Sequence, residues 1–296
     1  MRDEALIDKR EVRRSFEQAA DTYDAHAVLQ HEVCARMLDR LEYIKLKPDV
    51  ILDAGSGTGN AVPGLLARYP GATLVALDLA YAMLQRVQRR LKWWQMLPAL
   101  RPALHVVCGD VEALPIKTGG ITLAWSNLAL QWANDVPRAF GELFRILAPG
   151  GLLMFSTFGP DTLKELRRSY DGTDGRTHVS RFVDMHDIGD MLVGAGYADP
   201  VMDMEQITLT YDSVRVLMRE LKAIGAHNAT AGRPATLSAK STLERVERNY
   251  EAFRRDGKLP ATFEVVYGHA WKPQPRRGPT GHRVIDISAA AEERKP

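Results

Sequence analysis

Cysteine is almost missing from this chain: Cys34 and Cys108 are the only 2 in 296 residues. Two thiols make no disulfide framework and no metal-ligand cluster, and Cys108, in an apolar strand-like run, is expected to be buried and reduced. No apolar stretch approaches the roughly 18–20 residues that a membrane-spanning helix needs, so no membrane partner is expected. An excess of one charge is lacking too. With Lys+Arg 39 against Asp+Glu 37 the net charge is +2, whereas a nucleic-acid binder should show a dominant basic patch. The opening stretch MRDEALIDKREVRRS is charged, without an apolar signal core and without the Arg/Ser-rich look of a mitochondrial presequence. The expectation is a soluble, cytoplasmic chain.

What the chain does have is a glycine-spaced loop behind a short apolar run. Val50-Ile51-Leu52 leads into Asp53, and glycines follow at Gly55, Gly57 and Gly59. The run reads as a buried parallel strand, and the glycines let the backbone pass close to a ligand. Ala61, Val62, Leu65 and Leu66 recur at helical spacing, which predicts a helix over 60–69. Strand, glycine turn and helix together predict a nucleotide-binding crevice at the carboxyl end of a sheet. The spacing is GxGxG, whereas the dinucleotide loop carries its third glycine one place later, so an NAD oxidoreductase is disfavoured. A nucleoside cofactor without phosphate, such as S-adenosylmethionine, needs only the close backbone approach.

Strands and helices then alternate. A second strand over 72–77 ends at Asp78, placed to accept both ribose hydroxyls of an adenosine or, alternatively, to cap the helix expected from Tyr81 to Leu91. A third strand over 104–108 is followed by Asp110 and Val111; the carboxylate suits an adenine amino group and the Val111 N–H a ring nitrogen. The fourth, 121–125, delivers Ser126, Asn127 and Gln131 to the ligand end of the sheet, with Trp132 either core or shelter for a methyl donor. A helix over 136–147 stops at Ala148-Pro149-Gly150-Gly151 before a fifth strand, 152–157. Upstream, helices from Asp8 and from about Ala27 read as a cap, with Phe16 and Tyr23 able to overhang the crevice. Residues 93–102 read as a packing loop.

Downstream the pattern predicts helices over 161–170 and 184–195, a strand over 205–211, helices over 214–223 and 238–255, and a last strand over 261–271. Two strands separated by helices suggest a hairpin with a helical insertion acting as a lid. The expected division is a cap over 1–45, an α/β core over 46–211, a lid over 212–258, a final core strand over 259–272 and a flexible tail over 273–296.

Asp53-Ala-Gly55-Ser-Gly57-Thr-Gly59, Asp78, Gly109-Asp110-Val111 and Leu147-Ala-Pro149-Gly150-Gly151 resemble, in order and spacing, the class I S-adenosylmethionine-dependent methyltransferases. More narrowly, the segment from Val12 to Asp24, Trp125-Ser126-Asn127-Leu-Ala-Leu-Gln131-Trp132, Arg181-Phe182 and the stretch Leu221 to Asn228 are similar to the malonyl-[acyl-carrier-protein] O-methyltransferases of biotin synthesis. The resemblance implies a doubly wound, mostly parallel seven-stranded sheet with an N-terminal helical cap and a helical lid insertion. It implies S-adenosyl-L-methionine as cofactor, held by Asp53, Gly55, Gly57, Gly59, Asp78, Leu79, Asp110, Val111 and Asn127, and no metal. Malonyl-loaded acyl carrier protein would be the substrate, its carboxylate methylated without a general base. Tyr23, Arg181 and Lys222 become the candidates for work on the substrate, with His227 near the same mouth and exposed Arg167, Arg168 and Arg219 able to dock an acidic carrier. Other readings within the fold are a small-acid or quinone methyltransferase and a relative of the arginine-hydroxylating complex I assembly factor. A cofactor-binding scaffold without turnover is a reading from a different class.

Overall fold

The computed structural model describes residues 6–94 (91–94 as backbone only), 103–173, 178–226 and 240–275. Its centre is a seven-stranded sheet in the order β3-β2-β1-β4-β5-β7-β6. The strands are β1 (Val50–Ala54), β2 (Thr73–Asp78), β3 (Leu104–Cys108), β4 (Ile121–Asn127), β5 (Leu147–Phe158), β6 (Ala198–Tyr211) and β7 (Leu259–Trp271). The first five pair in parallel, and β7 runs antiparallel to both β5 and β6. Strand order reverses at β1, between β2 and β4, and a crevice opens over the carboxyl ends at such a switch point.

Helices cover both faces. On one lie α3 (Val28–Arg40), α4 (Val62–Arg68) and α5 (Tyr81–Trp94); on the other lie α6 (Val136–Ile146) and α8 (Met185–Gly194). α6 shows why these segments fold as they do. Asp135 caps its first turn by accepting from the Arg138 N–H at 2.9 Å, a proline stands in that turn, and Ala139, Phe140, Leu143 and Ile146 face the sheet. α1 (Lys9–Ala19) starts the same way on Asp8, and α2 (Tyr23–His26) is a single turn between α1 and α3.

The β6–β7 hairpin pairs Tyr211 with Leu259 across the root of an insertion that contains α9 (Val214–Ala223) and α10 (Lys240–Glu251). α10 packs on α7 (Lys164–Tyr170), where Asn249 Nδ2 donates to the Ser169 carbonyl and Tyr250 Oη donates to the Pro260 carbonyl. α9 reaches the N-terminal helices: Thr22 Oγ1 donates to the Ala223 carbonyl at 2.9 Å. Gly225, at φ +73°, lets the chain pass so close to α1 that an added Cβ would stand 3.1 Å from Phe16 Cδ1 and 3.2 Å from the Ser15 carbonyl oxygen.

Several expectations shift. Residues expected to end the first helix, Tyr23-Asp24, instead open α2. α7 begins at Lys164 rather than Asp161, because Thr162 and Leu163 are spent on β7: the Leu163 N–H donates to the Thr262 carbonyl and Thr162 Oγ1 to the Glu264 carbonyl. β6 starts seven residues before its expected Glu205; an irregularity between Ala198 and Val201 absorbs Asp199 at φ +50° and Pro200, tolerable on an edge strand. Trp93 and Trp94 continue α5 rather than opening a loop. Cys108 is exposed, not buried, because β3 is the sheet edge, while Cys34 is on the buried face of α3. His227, Asn228, residues 95–102 and the tail beyond 275 lie outside the described residues.

Candidate active site

The glycine loop leaves β1 in a conformation that side chains resist. Gly55, Gly57 and Gly59 have φ +79°, +53° and +84°. A Cβ on Gly55 would meet Ala129 Cβ at 2.2 Å, so this glycine is needed for close approach as well as for its dihedral. Asp78, at the tip of β2, holds the loop and the next helix together: Gly57 N–H donates to its Oδ2 at 2.8 Å and Ala80 N–H to its Oδ1 at 2.8 Å. One carboxylate thus ties the glycine loop to the residue before α5 while lining the crevice.

Asp53 is buried directly beneath. Its Oδ2 has no hydrogen-bond partner among the described residues. Burial, reinforced by the charge of Asp78, pushes its carboxyl up to about 7, and burial pushes Asp78 to about 6 against the pull of the backbone N–H groups of Ala80, Gly57 and Leu79. Tyr23 stands over Gly57, its phenol driven upward by burial and by Asp78 and Asp24, so it remains protonated. Asp24 clamps α2 in place, accepting from Thr58 Oγ1 and from Arg90 Nη2 at 2.6 Å.

Tyr23, Gly55, Gly57 and Asp78 line a crevice cavity of about 110 Å³ that also touches Leu79, Asp110, Val111 and Asn127, whereas Gly59 lies outside it, packed towards Val62 and Val87. Lys9, which no sequence signal marked, reaches Asp110 at 3.0 Å and Glu112 at 3.2 Å. Asn127 lines the cavity, but its side chain is already engaged: Oδ1 accepts from Ser156 Oγ, and Nδ2 donates to the Gln30 carbonyl at 3.1 Å. Ser126 is spent as well, donating to the Ala54 carbonyl inside the sheet. A small adjoining cavity of about 30 Å³ lies between Asp53, Gln30, Tyr23 and the glycine loop. Gln30 Oε1 is a second buried acceptor without a partner among the described residues.

A larger lid cavity of about 400 Å³ abuts the crevice. Its wall is mostly apolar, with Leu29, Phe158, Leu166, Phe182, Met218 and Phe263; polar groups come from His26, His178, Tyr211, Glu220 and Lys222. Tyr211 Oη donates to Glu220 at 2.9 Å. Six residues line both cavities: Gln30, Gln131, Trp132, Phe158, Ile224 and Ala226. Trp132 is thus half-buried at the junction, edge-on to Phe16 at 5.3 Å, rather than part of the core.

The two cations proposed from sequence do not converge. Lys222 is exposed and lines the lid cavity. Arg181 is exposed and lines a neighbouring cavity of about 230 Å³, with Ile7, Phe140 and Ile188, which shares Gln131 and the Phe158–Phe182 ring pair (5.6 Å) with the lid cavity. Arg167 is not an exposed docking cation either, since its guanidinium donates to the Pro160 and Thr162 carbonyls; Arg168 and Arg219 are exposed. His26, Gln30 and Lys9 are functional candidates that sequence reasoning missed. Among the described residues no group of His, Cys, Asp and Glu could hold a metal ion, and no helix is long and apolar enough to cross a membrane.

Residues 52–155 match a methyltransferase domain family. The chain is 58% identical over 285 residues to a malonyl-[acyl-carrier protein] O-methyltransferase of Gallionella capsiferriformans, covering 96% of this chain and 98% of that one. A protein of the same name from Nitrosospira multiformis is 57% identical, over 92% and 91%. Among solved structures, the YcgJ protein of Bacillus subtilis matches with a TM-score of 0.56 at 15% identity, over 82% of this chain and 99% of that one. The [4+2]-cyclase SpnF matches at 0.51 and 18%, over 81% and 80%. Likeness at that identity is of fold, and a cyclase among the matches shows that the fold does not dictate one chemistry.

Proposed function

The chain belongs to the family of malonyl-[acyl-carrier protein] O-methyltransferases, and from that membership we propose that it methylates the free carboxylate of malonyl-loaded acyl carrier protein with S-adenosyl-L-methionine. The product is the malonyl methyl ester, and the step is an early one of biotin synthesis. The reading takes the chain to be cytoplasmic, with no nucleic-acid or membrane partner. One observation supports it best: an acid-lined crevice and a mostly apolar cavity share the wall formed by Gln30, Gln131, Trp132, Phe158, Ile224 and Ala226. A methyl donor held on one side faces an acceptor on the other.

The residues fit the cofactor. Asp53 Oδ2 and Gln30 Oε1 are buried acceptors without a donor among the described residues, beside the same small cavity, and an α-ammonium group supplies donors to both. Asp78 would accept from the ribose hydroxyls; Asp110 and the Val111 N–H would take the adenine edge; Gly55 and Gly57 line the cavity, with Leu79 alongside, while Gly59 lets the loop pack on Val62 and Val87. Asn127 serves through position, its amide being committed to Ser156 and Gln30.

When bound, S-adenosylmethionine supplies a methyl carbon activated by its sulfonium, so a carboxylate oxygen takes it directly, the C–S electron pair stays on sulfur and no proton moves. No base is needed, which agrees with a Tyr23 phenol held protonated; Tyr23 acts as wall and donor. α9 and the apolar wall exclude water from the acceptor oxygen. Lys222, exposed at the lid cavity, draws the acid in. Arg181 lines the neighbouring cavity behind Phe158 and Phe182. The test is release of S-adenosylhomocysteine with malonyl-loaded against acetyl-loaded carrier, which lacks the free acid. Release with malonyl alone is expected; equal release with both, or none, would remove the reading.

A further inference from the structure

Resting on that reading, we propose that Gln30 is the residue that positions the malonyl carboxylate for attack, one carboxamide serving both sides of the reaction. Gln30 is the one described residue that lines the crevice, the small cavity and the lid cavity together. Of the two carboxamides at the junction, that of Gln131 is engaged: its Nε2 donates to the Leu128 carbonyl at 2.6 Å and its Oε1 accepts from Thr157 Oγ1 at 3.4 Å. The side chain of Gln30 makes no hydrogen bond to a described residue, and its Oε1 is fully buried. A buried amide oxygen without a partner needs an explanation, and here it borders the cavity assigned to the cofactor's ammonium.

Its backbone, by contrast, is fixed. The Leu128 N–H donates to Ser156 Oγ at 3.0 Å, Ser156 Oγ donates to Asn127 Oδ1 at 2.9 Å, and Asn127 Nδ2 donates to the Gln30 carbonyl. This relay ties the first turn of α3 to the tips of β4 and β5, so the Gln30 side chain starts from an anchored backbone.

Charge explains why a neutral donor belongs there. Carboxylate and sulfonium neutralise each other as the methyl moves, so a cation at the reacting oxygen would stabilise the reactants more than the transition state. An amide N–H directs the oxygen without opposing that loss of charge, while Lys222 keeps its charge at an exposed position. The amide oxygen accepts from the cofactor's ammonium, and the amide nitrogen donates to the acid.

Gln30→Glu separates these two duties, because a carboxylate still accepts from the ammonium but cannot donate to a second carboxylate. In the full chain, calorimetry should find S-adenosylhomocysteine bound at least as tightly as by the unaltered protein. Turnover of malonyl-carrier protein at saturating cofactor should fall on the order of a hundredfold, the scale for loss of one preorganised donor. Calorimetry should also show that malonyl-carrier protein no longer binds the S-adenosylhomocysteine-loaded variant. Turnover by Gln30→Glu within threefold of the unaltered chain would overturn the assignment, as would a loss confined to cofactor affinity. If the Glu variant does not fold, kcat of Gln30→Leu at saturating cofactor decides on the same criterion. Absence of turnover by the unaltered chain would instead sink the functional reading, and this inference with it.

Discussion

The crevice and the lid cavity share a wall, yet their polar groups come from different sources. The crevice is assembled from the tips of β1 to β4 under α1 and α2, and the carboxyls of Asp78 and Asp110 are fixed polar points among Val12, Phe16, Leu79 and Met83, with Asp53 in the small cavity alongside. The lid cavity is assembled from side chains on α2, α3, β5, α7, β6, α9 and β7, elements far apart in sequence, and most of its wall is hydrocarbon. A site made of backbone and acids recognises its ligand by fixed polar points. A site made of an apolar wall recognises by exclusion, and its few polar groups carry the discrimination.

The sharpest break between the two should come from Asp78→Ala. Its carboxylate holds Gly57, Ala80 and, in the proposed function, the ribose, so calorimetry with S-adenosylhomocysteine should show a loss of about 1.5–3 kcal/mol. Unchanged affinity would mean that the crevice binds by shape alone.

Gly225→Val attacks the other side. With φ +73° and the backbone of Ser15 and the ring of Phe16 at contact, the substitution should cost about 1–3 kcal/mol. Melting should drop and kcat/KM for the acyl substrate should fall while cofactor affinity at working temperature holds. If cofactor affinity falls as steeply, α9 and the crevice are one unit rather than two.

pH should separate the cavities more gently. Burial raises Asp53 to about 7 and Asp78 to about 6, above the ~4 of an unfolded carboxyl. Between those values the folded, ligand-free chain holds protons that the unfolded chain has released, so its stability declines as pH rises through the window. An α-ammonium group prefers an ionised Asp53 and ribose hydroxyls prefer an ionised Asp78, so S-adenosylhomocysteine should bind several-fold more tightly at pH 8 than at pH 5. A flat profile would place neither carboxyl on the ligand.

The smallest effect belongs to Lys222→Ala. An exposed ammonium contributes roughly 0.2–1 kcal/mol, so KM for malonyl-carrier protein should rise a few-fold, with the difference fading at high salt. An effect that survives salt would move Lys222 from the rim to the reacting oxygen.

The contrast also explains what the amino-acid sequence disclosed. The sheet and its crevice were legible because their signals are local: apolar runs of strand length, glycines at 55, 57 and 59, and Asp78 and Asp110 directly after strands. The lid insertion was legible because alternation on both sides of it announced one hairpin, which the Tyr211–Leu259 register bears out. The long-range contacts that complete the crevice and its junction with the lid cavity were not legible. Lys9 meets Asp110 across 101 positions and Asn127 meets the Gln30 carbonyl across 97, distances over which no spacing rule operates. Arg181 was singled out for its charge, but chain direction after Val179 carries it beyond Phe158 and Phe182. Cys108 was expected inside because its strand is apolar, and edge position, not composition, exposes it.

The most direct measurement is the mass and position of the group added to malonyl-carrier protein by the purified chain with S-adenosylmethionine. Mass spectrometry of the released acyl arm should show a gain of one methylene located on the distal carboxylate. No gain, or a methyl group found on carbon or on the carrier polypeptide, would contradict the account.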